Sequence, residues 1–114
     1  MDIKIKRVYE QPQRGDGMRI LVDRLWPRGL AREKARIDLW AKEIAPSNEL
    51  RKWYGHEPAR WEEFKRRYFA ELNRMPDEVN KLTSAMKKGP VTFLFSSKEE
   101  KINNAQALKL YLAK

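Results

Sequence analysis

Apolar and polar residues alternate where the chain begins. Ile3, Ile5 and then Val8 stand among Lys4, Lys6 and Arg7, close to the pattern of a half-buried strand. Residues 11–17 (Gln-Pro-Gln-Arg-Gly-Asp-Gly) form a turn-rich loop, and residues 18–23 read as a second strand. The connection is too short for a helical crossover, so an antiparallel hairpin is the simplest expectation for these two strands.

After Gly29 the pattern becomes helical. Leu30, Ile37, Trp40 and Ile44 share one helix face at spacings of seven, three and four. Pro46-Ser47 breaks that helix, with Ser47 as N-cap of a helix over 49–54 and Gly55 as its stop. Pro58 suits the first position of the next helix, where Trp61, Phe64, Tyr68, Leu72 and Met75 form a stripe. Pro76-Asp77-Glu78 starts another on Val79, Leu82 and Met86, ended by Gly89-Pro90. Residues 91–95 (Val-Thr-Phe-Leu-Phe) are apolar almost throughout, as a strand covered on both faces must be. A polar loop over 96–101 leads to a last helix over 103–113, expected to bury Ala105, Leu108 and Leu112.

This order predicts a single α/β domain over residues 1–114. Its sheet is small and mostly parallel, with about three strands, packed with about five helices. The second strand and the 91–95 strand, joined by a long helical excursion, should be parallel with a right-handed crossover. The turn at Asp23 and the Ser96-Ser97-Lys98 loop would then meet at one end of the sheet, beside the start of the final helix. Ligands of open α/β sheets bind beyond the carboxyl ends of strands, which makes this the expected site.

Composition narrows the chemistry. The 114 residues contain no cysteine, which excludes disulfides, thiol nucleophiles and thiolate metal sites. His56 is the one histidine, so no multi-histidine metal site is available, and no metal or cofactor is expected. The first ten residues are charged and lack a signal-peptide core, and no apolar run is long enough to span a membrane. These features predict a cytoplasmic protein without a membrane partner. The net charge is +9, and residues 1–36 carry ten Lys/Arg against five Asp/Glu. Such a surface suits nucleic acid or other polyanions, although a surface laced with ion pairs has the same composition.

Asp23-Arg24-Leu25-Trp26-Pro27-Arg28-Gly29 is the segment richest in chemistry. Arg24 and Arg28 are suited to grip a phosphate or carboxylate bidentately, with Lys98 adding a point charge and Asn103 and Asn104 a helix N-terminus. The bland alternatives are an Asp23–Arg pair that fastens the turn and an Asn103 that only caps the helix. Trp26 is either a stacking platform or packing under the loop. Asp23 with Ser96 or Ser97 and Lys98 also resembles the parts of a phosphoryl-transfer site, but no second carboxylate accompanies Asp23 except from Glu99 or Glu100. His56, at a helix–helix junction, is a secondary candidate for acid/base work if that junction folds over the cleft.

Lys6-Arg7-Val8-Tyr9, the Asp23–Gly29 string, Ser47-Asn48-Glu49-Leu50-Arg51-Lys52 and Ser97-Lys98 with Asn103-Asn104-Ala105 together resemble the YeaO-like branch of domain-of-unknown-function family 488. The resemblance spans almost the whole chain. It implies an α/β domain, names no reaction, and gathers Arg7, Asp23, Arg24, Trp26, Pro27, Arg28, Lys98 and Asn103 into one constellation. Some members carry His just before the Asn pair, where this chain has Ile102, so no general base is available there. Longer relatives carry a Cys-His-Arg motif that this chain lacks.

Three readings follow. The first is binding of a small anionic ligand at the turn 23–29 and loop 96–104, through Arg7, Asp23, Arg24, Trp26, Arg28, Gly29, Ser97, Lys98, Asn103 and Asn104. The second is non-specific nucleic-acid binding through the basic N-terminal third. The third is Mg²⁺-dependent phosphoryl transfer or hydrolysis centred on Asp23.

Overall fold

The computed structural model describes residues 2–113. Four strands, β1 (Ile3–Arg7), β2 (Met18–Leu21), β3 (Leu39–Trp40) and β4 (Val91–Phe95), form one sheet in the order β1-β4-β2-β3. Every pairing in it is parallel. The helices are α1 (Arg32–Ala35), α2 (Asn48–Tyr54), α3 (Trp61–Asn73), α4 (Pro76–Met86) and α5 (Asn104–Leu112). Among the described residues no helix is long and apolar enough to cross a membrane.

All five residues of β4 are buried, which is why it lies between β1 and β2. The expected hairpin is therefore replaced by two strands that are not paired with each other, each hydrogen-bonded to β4. A return of about 16 Å is needed to start a parallel strand of five residues, and a ten-residue connection covers it with no more than a 3₁₀ turn at Arg14–Asp16. The loop crosses the sheet face that bears Lys4, Lys6, Thr92 and Arg19. Lys4 Nζ donates to Gly15 O, Lys6 Nζ to Gln11 O, and Thr92 Oγ1 to Asp16 O.

Asp16 is the anchor of this crossing. It is buried, and its carboxylate accepts from Arg19 Nη1 at 2.5 Å, Lys6 Nζ at 3.1 Å and Gln13 N at 3.0 Å. The Arg19 guanidinium, also buried, donates further to the carbonyls of Ala35 and Arg36. Gly17, at φ 65°, leaves the loop with no room to spare: a Cβ there would lie 2.2 Å from Pro90 O.

The other face carries the main core. Ile3, Ile20, Val22, Phe93 and Phe95 from the strands pack against Phe64, Tyr68 and Leu72 of α3, Leu82 and Met86 of α4, and Ala105 and Leu108 of α5. Local signals in the sequence appear here as expected. Ser47 Oγ accepts from Leu50 N at the start of α2, Gly55 ends it in the left-handed region, and Pro76 opens α4. Pro58 opens a 3₁₀ turn (Pro58–Arg60) that leads into α3. In α5, Ala107 is fully buried while Leu112 is only partly so.

The single helix expected over residues 30–44 is not formed. Instead α1 lasts one turn, Arg36 turns left-handed at φ 48°, and the chain runs through β3 into a 3₁₀ turn at Lys42–Ile44. The apolar positions are used, but on two surfaces. Leu30, Ile37 and Trp40 cover Val8, Leu21 and Leu94 on the loop-bearing face, whereas Ile44 enters the helical core. Tertiary burial overrides the helical period, because the sheet needs its second face covered.

Burial pushes the Asp16 carboxyl up, but hydrogen bonds from Gln13 N, Lys6 and Arg19 outweigh it and hold the group below its ordinary 3.8. The stabilisation from this lowered value is present above the unfolded-state pKa and is lost as pH falls through the folded one. Asp16→Asn is expected to cost about 3 kcal/mol at pH 7, since it strands Arg19 and Lys6. Urea denaturation at pH 7 and pH 3 should show a narrower gap between wild type and variant at the lower pH. A gap independent of pH would count against this role of the carboxylate.

Candidate functional site

Because β2 and β4 are adjacent and parallel, the segments that follow them emerge side by side. Asp23, two residues past β2, meets Ser96, the residue after β4. Asp23 Oδ2 accepts from Ser96 N at 2.9 Å and Ser96 Oγ at 2.7 Å, and Asp23 Oδ1 accepts from Asn104 Nδ2 at 3.0 Å. The same Asn104 amide donates to Val22 O at 3.0 Å. One carboxylate thus ties the ends of two strands to the first turn of α5.

The flanking arginines do different work. Arg24 Nε donates to Pro46 O at 3.2 Å and Nη2 to Ala45 O at 3.0 Å, fixing the chain just before Ser47. Ser47 is held in turn from α3, donating through N and Oγ to the two carboxylate oxygens of Glu71. Arg28 is exposed, and its guanidinium has no partner among the described residues. Its carbonyl accepts from Tyr9 Oη at 2.9 Å. Arg7 lies beneath the loop after β4, donating to Ser97 O at 2.9 Å and Ser96 O at 3.3 Å.

Between these segments lies a cleft of about 340 Å³, in the size range of small-molecule sites. The turn contributes Asp23, Arg24, Trp26 and Arg28, and the far side contributes Ser96, Ser97, Asn103 and Asn104. The expected convergence of two distant segments is therefore present in the fold. His56 also reaches the cleft, held in the left-handed region at φ 59°, with its ring 6.2 Å from that of Tyr54. Lys98 is exposed and lies outside the cleft lining, as do Arg7 and Gly29. Gly29 at φ 74° serves the turn itself.

Several of these residues also have structural tasks. Asn103 is the N-cap of α5: its Oδ1 accepts from Gln106 N, and its Nδ2 donates to Glu99 O. Trp26 donates from Nε1 to Leu30 O, meets Trp40 edge-on at 5.4 Å, and carries the Arg32 guanidinium 4.4 Å over its ring. Pattern reasoning missed Tyr9, Arg51, Tyr54 and Phe64, which also line the cleft. Tyr54 stacks on Phe64 with centroids 4.3 Å apart, and its hydroxyl donates to Ile102 O. Burial, and the nearby Glu99, push that hydroxyl's pKa above its ordinary value. The signal that marked Phe64 was helical periodicity, which reports burial without saying that a cleft opens beside it, and Tyr54 was marked only as the end of the helix over 49–54.

Chemically, the cleft offers guanidinium and hydroxyl donors beside aromatic walls. Its one carboxylate is already occupied by three donors. Among the described residues, no group of three or more His, Cys, Asp or Glu is arranged to hold a metal ion.

Residues 2–114 match the family DUF488-N3i, described as the inactive DUF488-N3 subclade. The chain is 44% identical over 112 residues to the uncharacterized protein YeaO of Escherichia coli (strain K12), covering 98% of this chain and 97% of that protein. It is 45% identical over 92 residues to uncharacterized proteins of Mycobacterium bovis and of Mycobacterium tuberculosis, covering 79% of this chain and 78% of each of them. No solved structure matches the chain.

Removal of the Asp23 carboxylate should release both strand ends. Asp23→Ala leaves the Ser96 and Asn104 donors without their acceptor, at an expected cost of about 2–3 kcal/mol. Hydrogen exchange should locate the damage, with the Ser96 amide losing protection before the amides of β1. Unchanged protection at Ser96 would show that the bridge contributes little.

Proposed function

The chain belongs to the DUF488-N3i family, and from that premise and the cleft we propose that the protein binds a small phosphate- or carboxylate-bearing ligand between residues 23–29 and 96–104. The observation that carries this reading is Arg28, an exposed guanidinium on the cleft wall with no partner among the described residues. Arg51 stands with it, its guanidinium making a single hydrogen bond among the described residues, from Nη2 to Asn48 Oδ1. An anion here gains charge-assisted hydrogen bonds without breaking a strong pair. Ser97 supports the same reading: its Oγ accepts from Glu99 N, leaving its hydroxyl hydrogen to donate.

The division of labour among the cations refines the earlier constellation. Arg28 and Arg51 are the ligand-facing groups, Arg24 and Arg7 hold the walls, and Lys98 is left at the periphery. Binding without turnover agrees with the description of the subclade as inactive and with the three donors that already engage Asp23. A phosphoryl-transfer reading would need Asp23 free to attack or to hold a metal. A cytoplasmic setting, rich in phosphorylated and acidic metabolites, suits this function.

The nucleic-acid alternative loses support from how the basic N-terminal third is used. Lys4, Lys6, Arg7 and Arg19 all donate to backbone carbonyls or to Asp16. These four serve the loop crossing and the cleft wall, which leaves Arg14, Arg32, Lys34 and Arg36 as the exposed cations of that third outside the cleft.

The test is a thermal-shift screen of sugar phosphates, nucleotides and di- and tricarboxylates, followed by calorimetric titration of hits. Arg28→Ala with Arg51→Ala is expected to lower affinity for a hit at least about tenfold, since each lost charge-assisted bond is worth about 1.5–3 kcal/mol. The thermal transition without ligand should move little. Unchanged affinity in the double variant would refute the proposal.

A further inference from the structure

We propose that the ligand is a nucleoside 5′-monophosphate, with its base on the ring of Tyr9 and its phosphate on Arg28 and Arg51; this rests on the anion-binding reading above. Tyr9 is 44% exposed, unusual for a large aromatic side chain, yet it is not loose. Its hydroxyl is pinned to the carbonyl of Arg28, and the Arg7 guanidinium lies over its ring at 5.3 Å from the centroid. A fixed ring and a guanidinium with no partner among the described residues thereby line the same cleft.

Tyr54, Phe64 and His56 add further aromatic surface to the cleft wall. Tyr54 and Phe64 are already buried by the core, so inorganic phosphate or a bare sugar phosphate would leave the exposed Tyr9 ring uncovered. A nucleobase covers it, and stacking on a tyrosine does not depend on which base is present, so no base preference is assigned. Two guanidinium groups match the nearly doubled charge of a terminal phosphate better than the single charge of a carboxylate. The volume of about 340 Å³, at the lower end of small-ligand sites, suits one nucleotide rather than a dinucleotide.

Calorimetric titration of the full chain decides the matter, using the four common nucleoside 5′-monophosphates, the matching nucleosides, ribose 5-phosphate, inorganic phosphate and indole-3-acetate. The nucleotides are expected to bind at least about tenfold more tightly than ribose 5-phosphate, the gain that stacking on one ring supplies. Tyr9→Ala should reduce nucleotide affinity to that of ribose 5-phosphate, whereas Tyr9→Phe, which keeps the ring and removes the hydroxyl, should retain the preference. Equal binding of ribose 5-phosphate and nucleotides would overturn the base contact and leave anion binding standing. Equal binding of nucleosides and nucleotides would overturn the phosphate contact and the anion reading with it. Tighter binding of indole-3-acetate than of any nucleotide would replace the nucleotide by an aromatic carboxylate. No binding of any probe would overturn both proposals. The comparison among probes on the wild-type chain holds even if Tyr9→Ala fails to fold.

Discussion

A parallel pair of strands has no hairpin turn to join its ends, so something else must hold together the segments that leave it. Here that task falls to the carboxylate of Asp23. Its oxygens take the backbone N–H and the hydroxyl of Ser96 and the amide of Asn104, closing β2, β4 and α5 around one point. Arg7 pins the same loop from beneath through the carbonyls of Ser96 and Ser97. The turn after Asp23 then projects from a rigid base, which is what a preorganised site requires. The arrangement also engages the negative charge: with three donors on the carboxylate, the Arg28 guanidinium, which has no partner among the described residues, and Arg51 remain on the cleft wall.

The two faces of the sheet are covered in different ways. On one, α2 to α5 pack an aromatic and aliphatic core in which Tyr68 is fully buried and its hydroxyl donates to Ile44 O at 2.6 Å. Burial raises the pKa of that hydroxyl and keeps it a neutral donor. On the other, an irregular loop and a one-turn helix take the place of a helical layer. They hold through a buried ion cluster, Lys6–Asp16–Arg19, and a smaller apolar group around Leu21 and Leu94. A buried cluster of this kind adds less stability than specificity of register, because desolvation offsets much of the Coulombic attraction. It also accounts for a small part of the +9 net charge, since two cations face inward on one carboxylate.

Local chemistry in the chain foretold local structure well. Ser47 and Asn103 cap their helices through side-chain oxygens that accept backbone N–H groups, and Gly55 closes α2 in the left-handed region. Residues 91–95, apolar in sequence, form a strand buried on both faces. The failures arose where a one-dimensional pattern had two physical explanations. Leu30, Ile37, Trp40 and Ile44 have helical spacing, yet they reach two different faces of the sheet through a broken path. A short loop between strands suggests a hairpin unless a third strand has a stronger claim to the space between them, and the fully apolar β4 does. Arg24 and Arg28 look equivalent in the turn, but only the position of the Ala45 and Pro46 carbonyls reveals that one of them is structural.

Residue order alone therefore determined the elements with strong end signals, the parallel relation of β2 to β4, and the meeting of residue 23 with residue 96. Those features depend on capping, burial of an all-apolar strand and the rules of crossover connections, all of which act over short stretches or through topology. Tertiary structure alone decided which cations are spent and which are free, that Tyr9 and Arg51 face the cleft, and that Lys98 does not line it. The physical reason is that a hydrogen-bond partner or an exposed face is a property of atoms brought together from distant positions. Tyr9 and Arg28 lie nineteen residues apart, and nothing in their spacing announces that one holds the other.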